Sequence, residues 1–349
     1  MTSITAPTWM GHVLLSCQLH DDGIADAVVV NRDYINVEAL ITQTQYIIAL
    51  GTTTTLIPPV GSPPGPLDDF TASLLQVLTF HYRNAEVYAC RTLHPTVVAF
   101  NDMADQLLPS TSFDPAAILE GLHPLPVMAV NNVLQRFRWV VNTPEHSQRL
   151  TKFRRAALKN THSSERYISR LFERYAKLLV VRIDLSYGVL AKQGITAQQA
   201  RADRERLFRN IKANRLFQHC VGYIWKLEYG HEKRYHYHMF FFFNGSRVRE
   251  DVTLGRLIGE YWNRKITEGK GCYYNCNANK ACYAMLGIGM VRWNDTALRQ
   301  GLLRAVSYLT KTDEWIRLTL PEQGRSFGRG VLAPPPETLR GRPRYFEDQ

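Results

Sequence analysis

Residues 220–245 constrain the fold more than any other stretch of the 349-residue chain. "CVGYIWKLEYG" alternates apolar and polar positions, and after a short polar turn "RYHYHMFFFFNG" continues as a second extended run. Period-two patterning on both sides of a short turn predicts a β-hairpin. On a strand, residues i and i+2 share a face, so His236 and His238 project side by side. Two imidazoles in a core leave ring nitrogens to satisfy, and one shared metal ion satisfies both. Glu228 sits on the first strand with seven residues between it and His236, within reach of the pair across a tight hairpin. Two imidazoles and a carboxylate leave positions open on a divalent ion, the arrangement of a catalytic site. With eleven histidines in the chain, HxH spacing alone carries little weight. The plainer role for Glu228 is an exposed charge paired with Lys226 or Lys233.

The flanking sequence extends the pattern. "LLVVRIDLSY" (178–187) reads as a strand with Val181, Ile183 and Leu185 on one face and Arg182, Asp184 and Ser186 on the other. "TAQQARADRERLFRNIKANRLF" (196–217) reads as a helix opened by a Thr196/Gln199 capping box, burying Leu207 and Ile211. "DVTLGRLIGEYWNR" (251–264) carries an apolar stripe at 254, 257, 258 and 261, which puts Tyr261 in the core. "GCYYNCN" and "GIGMVRWN" are expected as two more strands, and "DTALRQGLLRAVSYLTK" (295–311) as the last helix. The order β-α-β-β-α-β-β-α predicts an α+β fold, an antiparallel β-sheet backed by helices. "DFTASLLQVLTFHY" and "PVMAVNNVLQRFRWVV" predict a mostly helical N-terminal region, which contains a proline-rich connector at 57–69. The expected organisation is an acidic N-terminal region over 1–144, a basic helical connector over 145–177, the sheet domain over 178–320, and an extended basic Gly/Pro tail over 321–349.

Charge follows the same division. Residues 1–144 hold five Arg and no Lys against twelve acidic residues, while 145–349 hold 37 basic residues against 19. The second part has the electrostatics of a polyanion binder, although a solvated surface explains basic charge equally simply. Lys152, Arg155 and Lys159 fall on one face of a helix over 145–160, placed for phosphate contact or for solvent. No apolar run approaches about 18 residues, so no membrane span is expected. The N-terminus lacks the basic start of a secretory signal. Cysteines are few, and a reducing cytoplasm is the expected location. Cys272, Cys276 and Cys282 lack CxxC spacing, so a zinc site there is a weaker reading than small semi-buried thiols.

A basic domain with an open metal site points to phosphodiester chemistry, which needs a nucleophile. "SYLTK" offers Tyr308 with Lys311 one helical turn on; Tyr308 falls on the flank of the buried stripe, in line with Arg304 and Lys311. Lys311 would hold the phosphate or favour the phenolate. Tyr223 with Lys226, and more loosely Tyr261 with Lys265, share related spacings.

The pieces "LLVVRIDLSYG", "WKLEYG", "RYHYHMFFFFNG", the glycine-cysteine segment with "GIGMV", and "VSYLTKTD" occur in the order of the HUH endonucleases. The chain resembles these rolling-circle initiators and relaxases. More narrowly it resembles the inovirus-type gene-two replication proteins, including the YagK/YfjJ C-terminal-domain family of prophages. The matching pieces span about 178–313; Tyr237 stands where the family usually has a bulky aliphatic residue, on the face away from the metal. The resemblance implies a Rep-like, RRM-like sheet domain and a metal-dependent HUH DNA endonuclease and strand transferase. Mg or Mn would be held by Glu228, His236 and His238. Tyr308 would nick single-stranded DNA at a replication origin, keeping the 5′-phosphate and freeing a 3′-OH primer, with later rejoining of the strand. The host replication helicase and polymerase would be partners, in a bacterial cytoplasm. Arg182 and Arg304 join Lys152, Arg155 and Lys159 as candidate DNA contacts. For Arg182 and Asp184 a sheet-face salt bridge is the simpler role. The alternative function is a DNA-binding regulator on the same fold that does not cut.

Overall fold

The structure is a computed structural model, and it describes residues 18–19, 25–26, 32–54, 56–57, 68–83, 91–109, 112–230, 233–321 and 324–332. Positions 58–67 of the expected connector at 57–69, and the tail beyond 332, lie outside the described residues. The chain forms two compact units, Ile35–Ala157 with Thr312–Thr319, and Leu158–Lys311 with the described residues from Leu320 to Leu332.

The first unit is mostly helical. It contains α1 (Arg32–Thr52, from Ile35), α2 (Asp69–Arg83), α3 (Pro95–Leu107), α4 (Pro115–Leu119) and α5 (Val127–Val141). Leu74, Leu75 and Leu78 of α2 pack with Phe100 and Phe137, whose rings meet edge-on at 5.3 Å. The expected domain limit at 320 is corrected here. Ile316–Leu318 pairs antiparallel with Arg91–Leu93, so 312–319 belongs to this unit.

α6 (Pro144–Arg174) runs from the first unit's residues into the second's, so the basic stretch at 145–160 is the first half of a longer helix. The second unit is built on β1 (Lys177–Tyr187), β2 (Cys220–Gly230), β3 (Arg234–Asn244), β4 (Gly271–Asn275), β5 (Gly289–Arg292) and β6 (Phe327–Arg329). Its helices are α7 (Ala197–Ile211), α8 (Asp251–Tyr261) and α9 (Thr296–Lys311), with the second half of α6. The sheet is antiparallel in the order β6-β2-β3-β1-β4, and β5 also pairs with β1. β6 corrects the expected tail: Phe327 is buried, and its strand extends the sheet beside β2.

β1 takes two short neighbours on one edge, β4 along Ile183–Tyr187 and β5 along Lys177–Val180. The Asn277 side chain spans the seam between them. Its Oδ1 accepts from the Arg182 N–H at 2.8 Å, and its Nδ2 donates to the Val180 carbonyl at 2.9 Å and to Asp251 at 2.6 Å. An amide side chain thus stands in for a missing strand residue, keeping buried peptide groups paired.

The faces of the sheet are covered by different helices. Leu178, Val180, Ile224, Phe240 and Phe242 pack under α6 and α9. The odd-numbered positions of β3 face α7 and α8, where the Tyr237 hydroxyl donates to the Ala200 carbonyl at 3.0 Å. α8 departs from the expected stripe. Its buried face is Gly255, Ile258, Gly259 and Trp262; Leu257 is exposed and Tyr261 half-buried. The reason is close approach, since a Cβ on Gly255 would strike the Asn275 side chain and one on Gly259 the Tyr273 ring. In α7, Leu207 is buried as expected, but Ile211 is only half-buried and the helix ends there rather than at 217. Among the described residues no helix is long and apolar enough to cross a membrane.

Candidate metal centre

The hairpin places its ionisable residues by register. Glu228 pairs directly with His236, and His238 lies between Lys226 on β2 and Asp184 on β1. All five side chains fall on the α6/α9 face. His238 Nε2 is 3.4 Å and His236 Nε2 3.8 Å from the same Glu228 oxygen. Among the described residues, Glu228, His236 and His238 form the group whose ligand atoms lie close enough to share one cation, within 4.8 Å of one another.

The other ring nitrogens are tied off. His238 Nδ1–H donates to Asp184 Oδ1 at 2.7 Å, and His236 Nδ1–H donates to the Arg234 carbonyl at 3.0 Å. These bonds fix a hydrogen on each Nδ1 and turn each Nε2 toward Glu228, the outer-shell support typical of metal-binding imidazoles. The Arg234 carbonyl is aimed by a left-handed backbone (φ 55°), costing about 1–2 kcal/mol for a non-glycine residue. The Arg234 guanidinium is held nearby by a 2.6 Å hydrogen bond to the Tyr229 hydroxyl.

Electrostatics match this geometry. Burial and the neighbouring His238 lower His236 to about 4, leaving it neutral. For His238 burial acts downward, but Asp184 and Glu228 outweigh it and raise the ring to about 9. Burial pushes Glu228 upward, and the histidines, His238 first, overcome it and hold the carboxyl at about 2. Asp184 is likewise held well below the usual carboxylate range, chiefly by His238, against its burial. Without a cation, a protonated His238 therefore bridges two carboxylates. Two imidazole nitrogens and one carboxylate oxygen converging on a point, with Glu228 a third exposed, suit a divalent ion with open positions.

The remaining sequence candidates divide. Asp184, for which a simple salt bridge was the favoured role, is the orienting partner of His238. Arg182, expected as a DNA contact, is 5% exposed and lies between the rings of Phe240 and Tyr283, at 5.6 and 5.7 Å. That placement corrects the expectation, because a guanidinium so enclosed supports the sheet face rather than a ligand. Burial works against its charge, but Tyr283, Cys276, Asp184 and Tyr308 together keep it protonated. Tyr308 is half-buried on α9, with Lys311 half-buried one turn later and Arg304 exposed one turn earlier. Lys152, Arg155 and Lys159 are exposed along α6. Cys276 is buried in the core under α9, and Cys272 and Cys282 are half-buried and not in disulfides. Lys226, which the sequence suggests only as an ion-pair partner for Glu228 or as a companion of Tyr223, is 2% exposed and pairs in register with His238.

An antiparallel α+β unit carrying a two-histidine, one-carboxylate centre on a hairpin is the class these observations define. Residues 142–330, just over half the chain, match the model of the YagK/YfjJ C-terminal domain, and the chain belongs to that family. Comparison with curated proteins and with solved structures finds no match.

Proposed function

We propose that the chain is an HUH-type DNA endonuclease and strand transferase that initiates rolling-circle replication. The observation that carries this reading is the convergence of two oriented Nε2 atoms and one carboxylate on a single point of the hairpin. Glu228, His236 and His238 would hold a divalent cation, Mg or Mn, which would supply Lewis-acid polarisation of the scissile phosphate. Asp184 fixes the ring of His238. The Tyr308 oxygen attacks phosphorus and gives up its proton to solvent. The P–O3′ bond breaks, the 3′-oxygen leaves as the 3′-OH after taking a proton, and the 5′-phosphate remains as a tyrosine ester. Lys311 neutralises the phosphate or favours the phenolate. Attack by a 3′-OH on that ester runs the step backwards and rejoins the strand. Single-stranded origin DNA is the proposed substrate, with the host helicase and polymerase acting on the primer.

The test is incubation of the chain with single-stranded DNA and Mn, followed by a denaturing gel and peptide mapping. The expected result is an oligonucleotide linked to Tyr308, lost in Tyr308→Phe with Mn affinity unchanged. An adduct on another tyrosine refutes the assignment. No adduct with competent DNA points to the non-cutting regulator.

A further inference from the structure

The displaced stripe of α8 leaves a second concave site in the same unit. Leu254, Leu257 and Tyr261, expected in the core, instead line a cavity of about 550 Å³ with Phe243 at its sheet wall. The cause is the glycine face of α8, which takes the sheet contact and turns the leucines outward. Phe243 lies five residues beyond His238 on β3 and on the opposite face, about 17 Å along the strand, so this is not the metal centre.

The cavity has a basic rim. Arg215 enters from the turn after α7, and Arg264 and Lys265 from a single π-helical turn, Trp262–Ile266, that follows α8. Such turns frequently mark functional positions. All three side chains are exposed and form no ion pair among the described residues, and His219 lies beside them. Glu260, the acidic group at the site, is already engaged by Arg256 at 2.6 Å. An aromatic and aliphatic floor under an unpaired cationic rim complements a ligand with a flat apolar group and a phosphate.

We propose that this cavity binds one nucleotide, its base against Tyr261, Leu254 and Leu257 and its phosphate on Arg264, Lys265 and Arg215. The inference does not require that the chain cleaves DNA. The same chemistry comes from a free mononucleotide or from one residue of a single strand, and the test separates them. dTMP and dAMP are titrated calorimetrically, and a fluorescein-labelled oligo-dT is followed by anisotropy, against the full chain and two variants. Leu257→Trp fills the cavity without changing charge, and Arg264→Glu with Lys265→Glu reverses the rim.

Each variant is expected to weaken binding by roughly tenfold or more, the worth of one stacked base or a few phosphate contacts. Loss confined to the oligonucleotide assigns the site to single strands, and loss confined to mononucleotides assigns it to a free nucleotide. Parent-like binding by Leu257→Trp overturns the proposal, leaving the rim as a general phosphate contact. No binding of either probe to the parent also overturns it. If Leu257→Trp fails to fold, Tyr261→Ala, at a half-buried ring, takes its place. Mn titration and the covalent-adduct assay report on the metal centre separately, so failure here leaves the endonuclease reading to its own test.

Discussion

The two faces of the sheet are made from the same strands and have opposite compositions. Toward α7 and α8, Leu179, Val181, Ile183 and Leu185 of β1 meet Tyr237, Met239, Phe241 and Phe243 of β3, none more than 1% exposed. Toward α6 and α9, β1 begins with Leu178 and Val180 and then turns to Arg182 and Asp184. β3 likewise carries Phe242 and Phe240 and, toward the hairpin, His238 and His236. Each apolar position stabilises the fold by burial at about 25 cal/mol per Å². Each ionisable one costs desolvation unless it is paired. One face is therefore built for stability along its whole length. The other gives up stability at one end, and the pairing of Asp184, His238, Glu228 and His236 limits that loss.

Substitutions on opposite faces of β3 separate the two roles. The largest effects are expected from His238→Ala and Phe241→Ala. The first should abolish Mn binding by calorimetry, and adduct formation with it, while the chain stays folded. The second should cost about 3–5 kcal/mol in urea unfolding, with Mn affinity retained in the folded protein. If either variant moves both readouts equally, the division of labour between the faces is wrong. Asp184→Ala comes next, with Mn affinity expected to fall 10- to 100-fold as His238 loses its orienting acceptor. Unchanged affinity would return Asp184 to a passive salt bridge.

The pH dependence should be smaller per step and has a defined sign. His238 is raised to about 9, so its pairing with Asp184 and Glu228 stabilises the metal-free protein fully below about 6.5, and that contribution is lost as pH rises through about 9. A cation must displace the His238 proton. Mn affinity should therefore fall about tenfold for each pH unit below about 9, down to the region near 4 where His236 also takes a proton. A flat profile between pH 6 and 8 would sink the bridging picture. The smallest effect is expected for Lys311→Ala, which should slow adduct formation roughly tenfold, about the value of one charged contact. Complete loss would give this lysine a larger part than neutralisation.

The clustering of Glu228, His236 and His238 was legible because it is nearly local. Alternation placed Glu228, His236 and His238 on one face, and a short hairpin left little freedom in register. Asp184 was harder to assign because its partner lies 54 residues away, and nothing local sets the β1–β3 register. Arg182 was misjudged for a similar reason. The rings of Phe240 and Tyr283 that enclose it come from 58 and 101 residues further along the chain. α8 misled through hydrophobicity itself. Leu254, Leu257 and Tyr261 make a better apolar stripe than two glycines, but the glycines allow the backbone to approach β4, and that packing won. β6 was hidden by its Gly-rich, basic composition, which resembles a flexible tail, whereas Phe327 anchors it beside β2.

The seam at Asn277 bears on how this fold can tolerate change. A continuous partner along that edge of β1 would transmit any insertion as a slip, and a slip of one residue exchanges the two faces of a strand. Here β4 and β5 are registered against β1 independently, with one amide holding the gap. A change of length between Tyr283 and Ile288 would disturb the contacts of this segment with Arg182 and α9, but would not by itself slide either strand along β1. The frame that presents Asp184 to His238 is insulated from that length variation, so the interruption gives the sheet a place to vary at no expense to the alignment of its ionisable end.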